Sequence, residues 1–200
     1  MKLRKYIWEI VKRFTVDNYI GIKPTMRCNL KCPYCAVNLN IGKPPEYDEV
    51  FACDWIELID KANPDMVVVS GGDPGIYSGI EHIINHCINR KMLVQITTNL
   101  TNINSYMRIK KSWRVIFLST YHSSSSLDKY ISNYKQLKKR FYITVRELRP
   151  KKDMKPKYIK WAKVKAIIND PETNNKPRIW YAPDLSIHPN CNSINTGGKK

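Results

Sequence analysis

The sequence predicts an α/β fold, a partial (β/α)6-type barrel with a mostly parallel sheet. Three observations carry that expectation. Short, continuous, β-branched runs such as residues 66–70 (MVVVS) and 115–120 (VIFLST) read as strands buried on both faces. Amphipathic segments of helical period lie between them, the alternation of a parallel α/β sheet. The polar motifs fall at strand C-terminal ends, where such sheets carry their ligand sites. Two hundred residues, 42% of them hydrophobic, are enough for one domain with a real core.

The elements follow in order. Leu3, Ile7, Ile10, Val11 and Phe14 share one face of a helix over 3–14. Its basic opposite face would also suit a membrane surface, but docking on the domain is the expectation. Residues 1–16 are therefore read as an N-terminal amphipathic helix, 17–170 as the core domain and 171–200 as a C-terminal extension. Residues 19–25 (YIGIKPT) form the first strand, before a cysteine-rich loop over 27–36. A helix over 48–62 turns Phe51, Trp55, Leu58 and Ile59 inward. The second strand, 66–70, breaks at Gly71-Gly72, and a helix follows over 76–90. Strands are expected at 93–98 (LVQITT), 115–120 and 141–145, with a helix over 127–140 and a sixth strand within 163–168. Past Pro171 the sequence is irregular, with a candidate hairpin of 179–181 and 185–188.

No apolar run approaches the roughly 18 residues of a membrane-spanning helix. Charged residues interrupt the first fourteen positions, unlike a secretory signal, so a cytoplasmic location without membrane contact is expected. The net charge of +17 is one-sided: residues 1–100 hold 12 basic and 11 acidic side chains, residues 101–200 hold 22 and 6. Aromatics (Tyr134, Phe141, Tyr142, Tyr158, Trp161) are interleaved with the densest basic stretch, from Lys129 to Lys165. That mixture suits single-stranded nucleic acid, although solvated lysine faces need no ligand.

Six cysteines stand at 28, 32, 35, 53, 87 and 191, three of them within eight residues. The crowding argues for a metal site rather than a disulfide framework. Structural zinc asks for four ligands, and no histidine is near in sequence. Three thiolates on a tight loop can instead hold three irons of a cubane and leave the fourth to an outside ligand. Cys53 and Cys87 fall within helices and are read as small buried apolar residues. His82 and His86, one helical turn apart with no third ligand, are read as solvent-facing.

Cys28-Asn-Leu-Lys-Cys32-Pro-Tyr-Cys35, after a first strand in an α/β chain, resembles the radical S-adenosylmethionine (radical SAM) superfamily. The resemblance implies that Cys28, Cys32 and Cys35 bind a [4Fe-4S] cluster. S-adenosylmethionine would chelate the remaining iron, with Tyr34 against its adenine. Ser70-Gly71-Gly72-Asp73-Pro74 is similar to the family's Gly-Gly-Glu motif, whose backbone carbonyls and carboxylate suit the cofactor's amine. Thr98-Asn99 matches a Thr-Asn pair at the third strand end. Ser119 at the fourth strand end and Arg146 at the fifth are further cofactor candidates, Arg146 for the carboxylate. Each has a plainer use as a strand-end polar residue. His122 is the candidate proton acceptor or substrate contact.

The activity so implied is reductive cleavage of S-adenosylmethionine, giving a 5′-deoxyadenosyl radical that takes a hydrogen atom from a substrate. An external one-electron donor of flavodoxin or ferredoxin type is expected. The substrate is a peptide or protein, or else a nucleic acid. The alternative is a non-catalytic zinc or iron–sulfur module that binds nucleic acid. Cys191 follows the hairpin as the first cysteine of an auxiliary-cluster extension would, but no further cysteine follows it to complete one.

Overall fold

A computed structural model describes residues 18–32, 35, 47–122, 124–147, 165–166 and 179–188. The helix expected within 1–16, Tyr34 and Cys191 lie outside the described residues. Five strands alternate with helical segments in chain order: β1 (Tyr19–Ile22), α1 (Ala52–Ala62), β2 (Met66–Val69), a 3-10 turn (Pro74–Ile76), α2 (Ile80–Asn89), β3 (Leu93–Thr98), α3 (Asn104–Met107), β4 (Val115–Tyr121), α4 (Leu127–Lys138) and β5 (Tyr142–Glu147). Three short strands complete the order, β6 (Lys165–Ala166), β7 (Ile179–Tyr181) and β8 (Ile187–His188).

The eight strands form one sheet in the order β6-β5-β4-β3-β2-β1-β7-β8, parallel throughout except where β8 returns antiparallel on β7. Strands β1 to β6 are sequential neighbours, so their crossovers progress in one direction and put the helices on one face. Two apolar clusters mark the two faces. Ile20, Ile22, Val67, Val69, Val94, Ile96, Val115, Phe117, Ile143 and Val145 pack under Trp55, Ile59, Ile80, Ile83, Ile84, Tyr130 and Leu137 of the helices. Met66, Val68, Leu93, Ile116 and Trp180 form a smaller cluster on the opposite, inner face. The hairpin expected at 179–188 is present, and it lengthens the core sheet on the β1 side, where Trp180 registers with Gly21. Among the described residues no helix is long and apolar enough to cross a membrane.

The differences from expectation lie at element ends. β1 stops at Ile22, ahead of Pro24, which has no N–H to give a ladder. α1 starts at Ala52 rather than 48, because Phe51 is its extended N-cap and donates its backbone N–H to Asp54 Oδ2 at 2.9 Å. Phe51, expected inside, is 80% exposed as a result. α2 starts at Ile80, after the proline-led 3-10 turn that Asp73 caps. The one-turn α3 is too short for a periodicity to show, and the sequence reading had no place for it.

Candidate active site

The cysteine loop leaves β1 between two clamps. On one side, Thr25 Oγ1 donates to Glu49 Oε1, and Arg27 forks onto the same carboxylate, Nε to Oε1 at 2.8 Å and Nη2 to Oε2 at 2.6 Å. On the other side is the backbone that follows β2. Gly72 N–H donates to Thr25 O at 3.0 Å and Asp73 N–H to Arg27 O at 2.9 Å. Gly71 has φ +132°, and a Cβ on it would stand 2.2 Å from Thr25 O; one on Gly72 would stand 2.1 Å from Arg27 O. Both positions therefore require glycine so that two main chains can touch.

The loop carries the three cysteines, with Cys32 and Cys35 near enough to act on the Cys28 thiol. Cys32 is 5% exposed, Cys35 is half-buried and Cys28 is exposed. The Cys35 N–H donates to Cys32 O at 3.1 Å, which closes the turn. Burial pushes the Cys28 thiol up, opposed by the Leu30 N–H and reinforced by Asp73, Cys32 and Cys35 nearby. No three His, Cys, Asp or Glu side chains among the described residues converge on one point as the shell of a single ion. Three soft thiolate donors on one loop are the chemistry that an iron–sulfur cluster takes.

Strand ends supply the rest, and their register decides which side chains count. β3 and β4 pair Thr97 with Leu118 and Thr98 with Ser119, while β4 and β5 pair Ser119 with Val145 and Thr120 with Arg146. Thr98 and Ser119 thus share the helix-covered face with Val145. Ser119 is fully buried, its Oγ 2.7 Å from Tyr130 Oη and donating to Thr144 O at 3.2 Å. That correction moves it from the cofactor side into the core. Thr98 donates to Asp73 Oδ1 at 2.8 Å and accepts from Leu100 N–H at 3.1 Å. Thr120 and Arg146, one residue away from Ser119 and Val145, face inward, with Thr97 and Gln95 on the same side of β3.

Asp73 is turned toward the helix-covered side, where Thr98 and Tyr106 lie. It has no exposed surface, and its Oδ1 accepts from Thr98 Oγ1, from Tyr106 Oη at 3.3 Å and from Gly75 N–H at 3.4 Å. Its Oδ2 is buried with no hydrogen-bond partner. Desolvation pushes its pKa up to about 6 against those bonds. Ser70, half-buried at the end of β2, donates its N–H to Ile22 O at 3.0 Å. Asn99 does reach the loop, with Nδ2 3.6 Å from Cys28 Sγ and 3.2 Å from Asn29 Oδ1. Arg146 is half-buried, its guanidinium pKa lowered by desolvation, and it makes no ion pair with any described residue.

His122 is the residue expected as proton acceptor or substrate contact. Its Nδ1 lies 3.4 Å from Cys32 Sγ, and Ser124 Oγ lies 3.2 Å from the same sulfur. Burial lowers the imidazole pKa, so the ring is neutral at pH 7. Chain separation of 90 residues hid this neighbour from the sequence. Lys23 was also missed: it is 1% exposed at the end of β1, with Nζ 5.9 Å from the Trp180 ring centroid. A lysine directly after Ile22, inside the run read as the first strand, was the available signal. Of the remaining candidates, Cys87 is buried but Cys53 is exposed on α1, correcting its assignment as a core residue. His82 is exposed as expected, while His86 is half-buried and pairs with Asp60 at 2.9 Å.

Comparison with known proteins shows the family and the fold. The family model described as the Radical SAM superfamily matches residues 22–176. A curated relative, the GTP 3′,8-cyclase of Peptoclostridium acidaminophilum, is 28% identical over 100 residues, covering 48% of this chain and 31% of that protein. The crystal structure of Streptococcus suis SuiB bound to its precursor peptide SuiA superposes with a TM-score of 0.58 at 20% identity, over 75% of this chain and 37% of that one. SuiB bound to S-adenosylmethionine gives a TM-score of 0.54 at 21% identity over the same shares. At such identities the likeness is one of fold. The chain spans about a third of the length of each.

Proposed function

The chain belongs to the radical SAM superfamily and is a radical SAM enzyme, and on that premise we propose that Cys28, Cys32 and Cys35 hold a [4Fe-4S] cluster for work on a peptide or protein substrate. Bound there, the cluster and S-adenosylmethionine supply reductive cleavage of the sulfonium and hydrogen-atom abstraction, with the electron drawn from an external flavodoxin- or ferredoxin-like donor. The carrying observation is that three sulfurs sit on one loop whose base is bonded to Gly72 and Asp73.

The chain's own residues then have separable tasks. Gly71 and Gly72 fix the loop's position, and Asn99 ties the end of β3 to Cys28. Thr97, Thr120 and Arg146 stand at strand C-terminal ends on the inner-face register, where Arg146 offers a forked donor for the cofactor carboxylate. Apolar Met66, Val68, Leu93, Ile116 and Trp180 below them keep water from the inner face.

A peptide is favoured over nucleic acid because two aromatics of the basic stretch, Tyr134 and Phe141, are buried in the core and cannot stack on bases. SuiB, similar in fold, binds a precursor peptide. A second reading, a non-catalytic zinc or iron–sulfur module, is kept because His122 beside Cys32 is a donor of the kind zinc takes.

Anaerobic reconstitution with iron and sulfide separates the two. We expect a brown protein that releases 5′-deoxyadenosine from S-adenosylmethionine when reduced, and Cys32→Ala should lose both properties. Zinc uptake in preference to iron, without cleavage, would establish the second reading. Oligonucleotide titration in low and moderate salt tests the substrate class: tight, salt-sensitive binding would reverse the preference for a peptide.

A further inference from the structure

We propose that His122 and Ser124 are positioning residues that raise the cluster's electron affinity by hydrogen-bonding to the sulfur of Cys32. This rests on the cluster assignment above and goes beyond it, because it gives one of the three ligands a distinct part. Cys32 is the buried member of the trio, and it receives the two short side-chain contacts, 3.2 Å from Ser124 and 3.4 Å from His122. Cys28 is exposed and has only the longer approaches of Leu30 N–H at 3.5 Å and Asn99 at 3.6 Å.

A ligating sulfur is a thiolate and can only accept. Both partners must therefore donate, His122 through Nδ1–H and Ser124 through its hydroxyl. The loop that carries them is held in place. Ser125 donates to His122 O twice, from its N–H at 2.9 Å and its Oγ at 2.7 Å. Ser126 caps α4 directly after. The two donors are thus set before any ligand arrives, so little ordering cost is left to meet when the cluster binds.

Donors on a ligand sulfur stabilise the reduced cluster more than the oxidised one, because the added electron places more negative charge on the sulfurs. The step is one electron from the external donor to the cluster, with no bond made or broken and no proton transferred at His122. The two side chains ease a reduction that the donor must accomplish before S-adenosylmethionine can be cleaved. A general acid or base role for His122 is not needed.

The test is a redox titration of the anaerobically reconstituted full chain, followed by electron paramagnetic resonance without S-adenosylmethionine. Wild type, His122→Phe, His122→Asn and Ser124→Ala are compared after iron analysis. All should take up the same iron. At a fixed applied potential His122→Phe should hold about tenfold less reduced cluster relative to oxidised, a shift of about 59 mV to the negative for a one-electron couple. Ser124→Ala should shift in the same direction, and His122→Asn, whose amide can still donate, should recover part of the loss. Unmoved or more positive potentials would overturn the proposal, as would loss of iron in both His122 variants, which would make His122 a ligand. If the His122 variants do not fold, an unmoved potential in Ser124→Ala overturns it alone. Wild type with no cluster would overturn the proposed function as well, whereas a full cluster with unmoved potentials sinks only the tuning.

Discussion

Asp73 concentrates the tension of the site in one side chain. It is fully buried, satisfied at one oxygen and orphaned at the other, and its pKa rises from 3.8 to about 6 by desolvation. A raised carboxyl pKa means that the folded state binds the proton more tightly than the unfolded chain. Its contribution to stability is thus present below pH 4 and lost as pH rises through 6. Two units correspond to roughly 3 kcal/mol. We expect chemical denaturation of the reconstituted protein to show stability falling from pH 4 to pH 6 through this residue, and Asp73→Asn to flatten that slope; an unchanged slope would show that Asp73 does not titrate there. Gly72→Ala has a different outcome. A methyl 2.1 Å from Arg27 O must push the cysteine loop off the β2 backbone, so iron uptake should fall severely while the helix content seen by circular dichroism persists. Full iron occupancy in Gly72→Ala would mean that the loop does not depend on this contact.

At the scale of elements, register separates residues that the sequence could not tell apart. VIFLSTY is apolar on both faces because the strand is covered on both, so alternation carries no signal about whether Ser119 or Thr120 looks inward. Pairing with β5 answers this by aligning Thr120 with Arg146. Two substitutions should therefore behave oppositely. Ser119→Ala removes the bond to Tyr130 and leaves a buried hydroxyl short of a partner, costing about 1–3 kcal/mol with S-adenosylmethionine affinity unchanged. Arg146→Ala should weaken S-adenosylmethionine binding by about tenfold or more, as loss of a charge-assisted bond does, with the cluster and the melting temperature intact. Equilibrium binding and thermal melts on both variants check the pair; reversed phenotypes would mean that the inner and outer faces have been exchanged. The C-terminal hairpin makes the same point, since a weak local pattern at 179–188 gains its place only by lying on β1.

Among the described residues, one group of cations stands at the end of the sheet away from the cysteine loop. Lys91, Lys110, Lys111, Lys139 and Arg140 precede β3, β4 and β5, at the strand N-terminal ends, whereas the cysteine loop follows a C-terminal end. Helix C-termini welcome such cations through the backbone dipole, which accounts for part of the enrichment without a ligand. Replacing Lys110, Lys111 and Lys139 together by Gln should leave the rate of 5′-deoxyadenosine release within about twofold, since fields between exposed charges fade beyond about 10 Å at 0.1 M salt. A large loss of rate would place the substrate across that basic end.

The parallel α/β character, most element centres and the three-cysteine loop were legible in the amino-acid order, because local apolar runs and short spacings need no partner to be read. Element ends were less so, as at Phe51, where a single cap bond displaced the expected helix start. Tertiary structure alone decided the rest: that Gly71 and Gly72 press on the cysteine loop, that Asp73 and Ser119 turn into the core, and that His122 meets Cys32 across 90 residues. These are contacts between distant segments, and nothing in the local chemistry of either partner encodes which atoms the folded sheet will bring within hydrogen-bonding distance.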